Sequence, residues 1–377
     1  MSHPKSVAFY APLKSPDHPS PSGDRTMARL LMKALERGGF KPALASDLRT
    51  FEKTGDLASQ ERIRQDSLAE ADRLVRHYGS LPREDRPLLW FTYHVYYKAP
   101  DWIGPRVADA LGIPYAVAEG SRASKRASGP WALGHEGAEA ALDRADAVFV
   151  MTAADREALE ARKPDRQMLV DLPPFLDAAE WPDAAAACDS TGGDLRLLAV
   201  AMMRMGDKLA SYRLLAAALQ RIPHRSWTLD IVGDGEARGE VEDLFRTFGR
   251  RVRFHGQVES RAALRALYAG ADLFVWPAVN EAYGMALLEA QLFGCPVVAG
   301  AYGGVASVIE DGRTGVLTLP GDAGAFAQAV EALLADAGWR RRCATAARRF
   351  VTEERDLDRA AARLHTALAA LVAGIGA

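Results

Sequence analysis

Short apolar runs alternate with stretches of helical periodicity along almost the whole chain. SVAFYAP (6–12) reads as a first strand. TMARLLMKALERGG (26–39) follows, with Met27, Leu30, Leu31, Ala34 and Leu35 at helical spacing and glycines at its end. Further strands are predicted at FKPALA (40–45), LLWFTY (88–93), PYAVAE (114–119) and AVFVMT (147–152), with helical stretches between them. Such alternation predicts a parallel sheet covered by helices on both faces.

The rhythm breaks at DLPPFLDAAEWPDAAAACDSTGGD (171–194), whose Pro, Asp, Ser and Gly content reads as a linker. It restarts with strands at 195–201, 226–233, 252–256, 272–277, 296–300 and 315–319, each with a helical partner. The expected fold is therefore α/β, with two doubly wound, Rossmann-like halves and a cleft between them. The expected division is 1–176 for the first domain, 177–193 for the linker, 194–350 for the second domain and 351–377 for a helical tail. That tail is polar at first and ends in ALAALVAGIGA; it is expected to pack back on the first domain, the alternative being a weak membrane or partner contact. Ligands of open parallel sheets bind beyond the carboxyl ends of the strands, so the chemistry is expected there.

Composition narrows the function classes. A length of 377 residues suits roughly two domains, and 49% hydrophobic with 25% charged residues is normal for a chain with a sizeable core. A net charge of −2 argues against a dedicated nucleic-acid binder. Cys188, Cys295 and Cys343 are too far apart and too few for a disulfide framework or a zinc ligand set. The apolar core of MSHPKSVAFYAPLKSP is too short for a signal peptide, and no run approaches the roughly 20 apolar residues that span a bilayer. A soluble, cytoplasmic protein is expected.

Chemistry concentrates in NEAYGMALLEAQLFGCP (280–296). Its apolar run from Tyr283 to Phe293 predicts a helix, ended by a left-handed Gly294 and by Pro296. Glu281 precedes that helix and Glu289 lies inside it. Eight helical steps would separate the two carboxylates by about 12 Å, too far for a shared-proton dyad or a glycosidase acid pair. Two acceptors at that spacing could grip two hydroxyl-bearing parts of one long ligand. Between them the amides of Tyr283, Gly284 and Met285 at the helix N-terminus would suit a phosphate, with Gly284 allowing close approach. Sugar, diphosphate and ribose in that order describe a nucleotide-sugar. Taken alone, the two acids could equally be a dipole-favoured N-terminal residue and a solvated helix face.

The longer segment ADLFVWPAVNEAYGMALLEAQLFGCPVVAGAYGGVASVIEDGRTGVL resembles the donor-site region of retaining GT-B glycosyltransferases. These form the large family (glycosyltransferase family 4) that includes sucrose synthases and bacterial mannosyltransferases. The resemblance covers 195–350 and, more weakly, the first half. It implies that Glu281 binds donor sugar hydroxyls, that Glu289 binds ribose hydroxyls, and that a UDP- or GDP-sugar is the donor. It also implies that Arg204 and Lys208, in AVAMMRMGDKLASY, hold the diphosphate, although the family's usual Lys-Gly is here Lys208-Leu209. RFHGQVES matches a base-contacting loop, placing Gly256 and Val258 at the base, while His255 reads as a packed strand-end residue. IVGDGEARGE is one residue too long for the dinucleotide fingerprint and reads as a tight turn near the nucleotide.

In the first half the family places a glycine pair against the donor's phosphates and the acceptor; here only Gly23 is present, with Lys14, Asp24 and Arg25 as further candidates, and Asp24 could equally cap the following helix. His94 and Glu119 end two predicted strands, where either could orient or deprotonate an acceptor hydroxyl or be merely a polar strand end. Arg122, with Lys125 and Arg126, forms a basic patch that could meet an anionic acceptor or remain a solvated surface. Trp102, Trp131 and the tyrosines at 93, 96 and 97 could stack on sugars or serve the core. Ser307 stands where relatives carry Glu, and Ala278 where they often carry Ser. No strand is followed by a persuasive Asp-x-Asp, so neither a metal nor another cofactor is expected. The implied function is transfer of a sugar from a nucleotide-sugar to an unidentified hydroxyl acceptor, with retention. Partners are the donor, that acceptor and at most a peripheral membrane contact. The alternatives are an epimerase or phosphorylase on the same fold, or a non-catalytic nucleotide-sugar-binding scaffold.

Overall fold

A computed structural model describes residues 5–20, 22–181, 194–223 and 225–374. The chain divides into two compact units, 1–173 with 357–377, and 174–356. Most of the linker predicted at 177–193 lies outside the described residues.

The first unit runs β1 (Lys5–Tyr10), α1 (Gly23–Arg37), β2 (Phe40–Ser46), α2 (Leu57–Ser80), β3 (Leu89–Val95), α3 (Gly104–Leu111), β4 (Tyr115–Gly120), α4 (Ala132–Arg144), β5 (Ala147–Val150), α5 (Ala153–Glu160) and β6 (Met168–Asp171). The second runs β7 (Leu195–Val200), α6 (Asp207–Leu219), β8 (Trp227–Val232), α7 (Arg238–Phe245), β9 (Val252–Gly256), α8 (Arg261–Gly270), β10 (Leu273–Trp276), α9 (Met285–Leu292), β11 (Val297–Gly300), β12 (Gly315–Thr318), α10 (Ala323–Ala335) and α11 (Ala337–Glu354). A last helix, α12 (Leu357–Ala373), belongs to the first unit.

Every strand expected from the apolar runs is present, and both sheets are parallel. One was missed. β6 (MLVD) is an edge strand with three half-buried residues and one exposed, and so lacks the continuous apolar run of the buried strands.

The strand orders explain where side chains can gather. The first sheet reads β2-β1-β3-β4-β5-β6 and the second β12-β11-β10-β7-β8-β9. In each, the chain steps outward from its first strand and then returns to that strand's other side. The resulting switch points lie between β1 and β3 and between β7 and β10, the positions at which open parallel sheets generally bind their ligands.

The β3–β4 core of the first unit contains one carboxylate with a full set of donors. Asp101, 1% exposed, accepts hydrogen bonds from Thr92 Oγ1 (2.6 Å), Tyr115 OH (2.9 Å), Ile103 N (2.9 Å) and Gly104 N (2.8 Å). Thr92 accepts in turn from Trp90 Nε1 at 2.8 Å. Burial pushes the Asp101 carboxyl above the usual range, against the pull of its donors.

α12 packs against α1. His365 Nδ1 lies 2.7 Å from the carbonyl oxygen of Gly38, and Arg363 donates to the carbonyl of Asp171 at 2.8 Å. The His365 and Phe40 rings are 6.1 Å apart. Among the described residues no helix is long and apolar enough to cross a membrane.

Candidate active site

In the second unit the loop after β7 (201–206) and the loop after β10 (277–284) flank the switch point. Lys208, at the start of α6, forms an ion pair with Oε2 of Glu281. Trp276, the last residue of β10, donates from Nε1 to the same oxygen at 3.3 Å, and the Lys208 ammonium sits 5.6 Å from the centre of its ring. Asn280 Nδ2 donates to Asp207 at 3.0 Å, and the Val279 amide donates to Ser211 Oγ at 2.9 Å. The first turns of α6 are thus tied to the loop after β10 through Asp207, Lys208 and Ser211. Ala278 and Asn280 both adopt positive φ (55° and 51°), a strained backbone of the kind found at functional sites. Arg204 is exposed in the first of these loops.

Two glycine-bearing segments press on this pair of loops. A Cβ at Gly235 (φ 151°) would lie 2.3 Å from the Met203 carbonyl oxygen. Met203 N donates to Asp234 O (2.9 Å), and Ala237 N donates to Met203 O (2.9 Å). IVGDGEA therefore clamps the loop carrying Arg204. At Gly303 (φ 49°) an added Cβ would meet the Glu281 carbonyl oxygen at 2.3 Å, while Gly304 N donates to Ala282 O at 2.6 Å. Gly303→Ala should displace the Glu281 backbone. If the site carries out the sugar transfer that the sequence resemblance implies, the substitution should reduce turnover at least about tenfold, with a smaller effect on nucleotide binding, as steady-state kinetics beside calorimetric titration would show.

α9 begins at Met285, two residues later than the periodicity predicts, because Gly284 is left-handed (φ 74°) and halts the helix. Only four helical steps therefore separate its start from Glu289, about 6 Å of rise, and the spacing of the two acids is set mainly by the loop. Tyr283 and Met285 are buried at this entry. Glu289 accepts from Tyr268 OH at 2.7 Å, and burial raises its pKa. Gly256 closes β9 and accepts from the Gly233 amide at 2.8 Å; Val258 follows, half-buried. His255 is exposed, not packed, and its Nε2 lies 2.7 Å from Asp230.

The switch point of the first unit carries a second cluster. His94 and Glu119, next to the register pairs Tyr93–Ala118 and Val95–Gly120 of β3 and β4, both have positive φ (66° and 59°). Such conformations cost about 1–3 kcal/mol each in a non-glycine residue. His94 Nδ1 is buried, 3.6 Å from Glu119 Oε1 and 3.4 Å from Asp24 Oδ1. Ser22 caps α1 and Asp24 turns toward His94, so capping is not the role of Asp24. Gly23 opens the helix, but an added Cβ there would touch nothing within 4 Å. Arg122 is withdrawn from the expected surface patch: its buried guanidinium is gripped by Glu139 (2.5 Å) and Asp143 (2.6 Å). Arg126 lies over the Tyr97 ring, Tyr97 meets Trp131 edge-on, and Trp102 packs on Gly137.

Burial alone would lower the His94 pKa, but the Glu119 and Asp24 carboxylates reverse this and hold it at about 9. Burial raises Glu119 to about 7, with His94 pulling the other way. The folded value of His94 exceeds its unfolded one. Its stabilisation is therefore complete below the unfolded pKa near 6.5 and lost as pH rises through about 9. Between pH 7 and 9.5 the folding free energy should fall by about 2 kcal/mol, and His94→Gln should flatten that dependence in urea titrations.

Sequence reasoning did not single out Trp276, Gly303 or Tyr268, and it read Gly235 only as part of a tight turn near the nucleotide. Only the glycines carried a usable signal, since each lies in a short segment between a strand end and the next helical turn.

Residues 195–336 match the glycosyl transferases group 1 family. The chain is 30% identical over 270 residues to a glycogen synthase of Mycobacterium tuberculosis (strain CDC 1551 / Oshkosh), covering 68% of this chain and 64% of the relative. It is 30% identical over 313 residues to a D-inositol 3-phosphate glycosyltransferase of Salinispora arenicola, covering 74% and 66%. The matched region thus spans somewhat less than two thirds of these relatives' own length. In fold it is similar to sucrose-phosphate synthase from Thermosynechococcus elongatus, with a TM-score of 0.77, 20% identity and coverage of 98% and 100%. It is also similar to Anabaena HepE in complex with UDP, with a TM-score of 0.72, 17% identity and coverage of 97% and 100%. The chain has the GT-B glycosyltransferase fold and belongs to the glycosyl transferases group 1 family.

Proposed function

We propose that this protein is a retaining glycosyltransferase that moves a sugar from a UDP- or GDP-sugar to an acceptor hydroxyl without a bound metal. The observation that carries the reading is the meeting of Lys208 and Glu281 at the β7/β10 switch point, inside the family-matched segment. A nucleoside diphosphate leaving group builds negative charge as the glycosidic bond breaks. Arg204 and Lys208 would take up that charge, aided by the amides that open α9. Glu281 would hold the transferred sugar by its hydroxyls, and Glu289, turning from Tyr268, the ribose. Ion-paired to Lys208, Glu281 is a poor nucleophile, which favours front-face substitution: the acceptor oxygen bonds to the anomeric carbon as the diphosphate leaves and takes the acceptor's proton. The first unit would supply His94 and Glu119 to orient the acceptor. HepE in complex with UDP supports a nucleotide donor by likeness of fold.

The test is a panel of UDP- and GDP-sugars with sugar and polyol acceptors, scored by released nucleoside diphosphate, with EDTA present and absent. The expected result is acceptor-dependent release, indifferent to EDTA, giving a product of unchanged anomeric configuration by NMR. Turnover without acceptor, inversion, or loss of activity in EDTA would each overturn the corresponding part.

A further inference from the structure

We infer that Trp276 is a positioning residue of the donor site: its indole N–H aims the Glu281 carboxylate and its ring face seats the Lys208 ammonium. The inference rests on the donor-site reading above. Trp276 is 3% exposed at the end of β10, where any apolar side chain could fill space. An indole differs from other apolar groups in needing a partner for its N–H when buried, and here that partner is Glu281 Oε2 at 3.3 Å. The same oxygen receives the Lys208 ammonium, which lies 5.6 Å from the ring centre, within cation–π range. Tyr212 fixes the ring from another side, edge-on at 5.0 Å, and its own hydroxyl donates to the Ala201 carbonyl at 2.8 Å. Trp276 and Tyr212 thus tie the loop after β7 to the loop after β10.

The arrangement separates two duties when donor arrives. A diphosphate draws the ammonium away from Glu281, and a carboxylate held by Lys208 alone would then swing free. The indole N–H stays bound to the carboxylate and keeps it pointed at the sugar. The ring face limits where the ammonium can go. Phenylalanine in place of Trp276 keeps a face for Lys208 and an edge for Tyr212 but removes the N–H. Leucine removes both.

The experiment compares the wild-type protein, Trp276→Phe and Trp276→Leu in binding UDP and GDP by calorimetry and in steady-state transfer. For Trp276→Phe we expect kcat to fall about tenfold or more, with nucleoside diphosphate affinity and donor KM within about threefold of wild type. For Trp276→Leu we expect a similar loss in kcat and, in addition, at least about fivefold weaker nucleoside diphosphate binding. Wild-type tryptophan emission should change on adding the diphosphate that binds, and the change should vanish in Lys208→Ala, a readout that does not depend on either Trp276 variant folding. Unchanged kcat in Trp276→Phe, equal losses in both variants that track their thermal stability, or an emission response that survives Lys208→Ala would overturn the inference and leave the donor reading intact. A wild-type chain that binds neither UDP nor GDP and transfers no sugar would instead remove the donor reading itself.

Discussion

Lys208→Ala and Glu281→Gln should each lower kcat/KM for sugar transfer at least about a hundredfold while the protein remains folded. The two losses have different origins. On the proposed reading, alanine at 208 removes the cation that meets the leaving-group charge, so the chemical step should slow and the nucleoside diphosphate should bind less tightly. Glutamine at 281 keeps the shape of the side chain and its ability to accept from Trp276, but removes the charge that pairs with Lys208. Diphosphate binding should then hold or strengthen, because Lys208 no longer has a competing anion. The Lys208 side chain is 25% exposed and the Glu281 side chain 17%, so water can solvate whichever charge is left. Thermal midpoints should accordingly move by only a few degrees. Calorimetry with UDP and GDP, beside initial rates at saturating donor, separates the two effects; full activity in both variants would sink the assignment.

Asp101→Ala is expected to remove about 4 kcal/mol of folding stability, a large share of the 5–15 kcal/mol typical of a domain. The carboxylate satisfies two buried side-chain hydroxyls and two backbone amides. Alanine leaves all of them without an acceptor, and Thr92 loses the bond that orients it beneath Trp90. Asp101→Asn should lose less, since its amide oxygen can still accept from Ile103 and Gly104. Urea denaturation of the two variants measures the difference. Because Asp101 lies in one unit and the Lys208–Glu281 pair in the other, the parameters of any nucleoside diphosphate binding at that pair should be unaffected at temperatures where Asp101→Ala remains folded.

The parallel sheets were legible because their inner strands are unbroken apolar runs, such as VAFY at 7–10 and LFVW at 273–276. β6 was not, because an edge strand needs no such run. Helix periodicity placed Glu289 on α9 but started the helix too early, since a left-handed Gly284 looks like any other glycine in sequence. The pairing of Lys208 with Glu281 follows from strand order, which brings β7 beside β10, and no local pattern records that order. The same holds for His94 and Glu119: each read as one polar residue at a strand end until β3 and β4 were seen to be neighbours. Arg122 misled because charge in a sequence carries no sign of burial; the acids that engage it lie 17 and 21 residues further on.

The placement of α12 has a consequence for synthesis. The helix that covers part of α1 follows the whole second unit in sequence, so a ribosome finishes residues 174–356 before it supplies that helix. At about 5–20 residues per second the interval is roughly 10–40 s, far longer than a domain of this kind needs to collapse. For that time the nascent first unit shows an apolar face around Phe40 and the end of α1, open to chaperones or to other nascent chains. Slowing translation through the second unit should therefore raise aggregation of the first while leaving residues 174–356 intact.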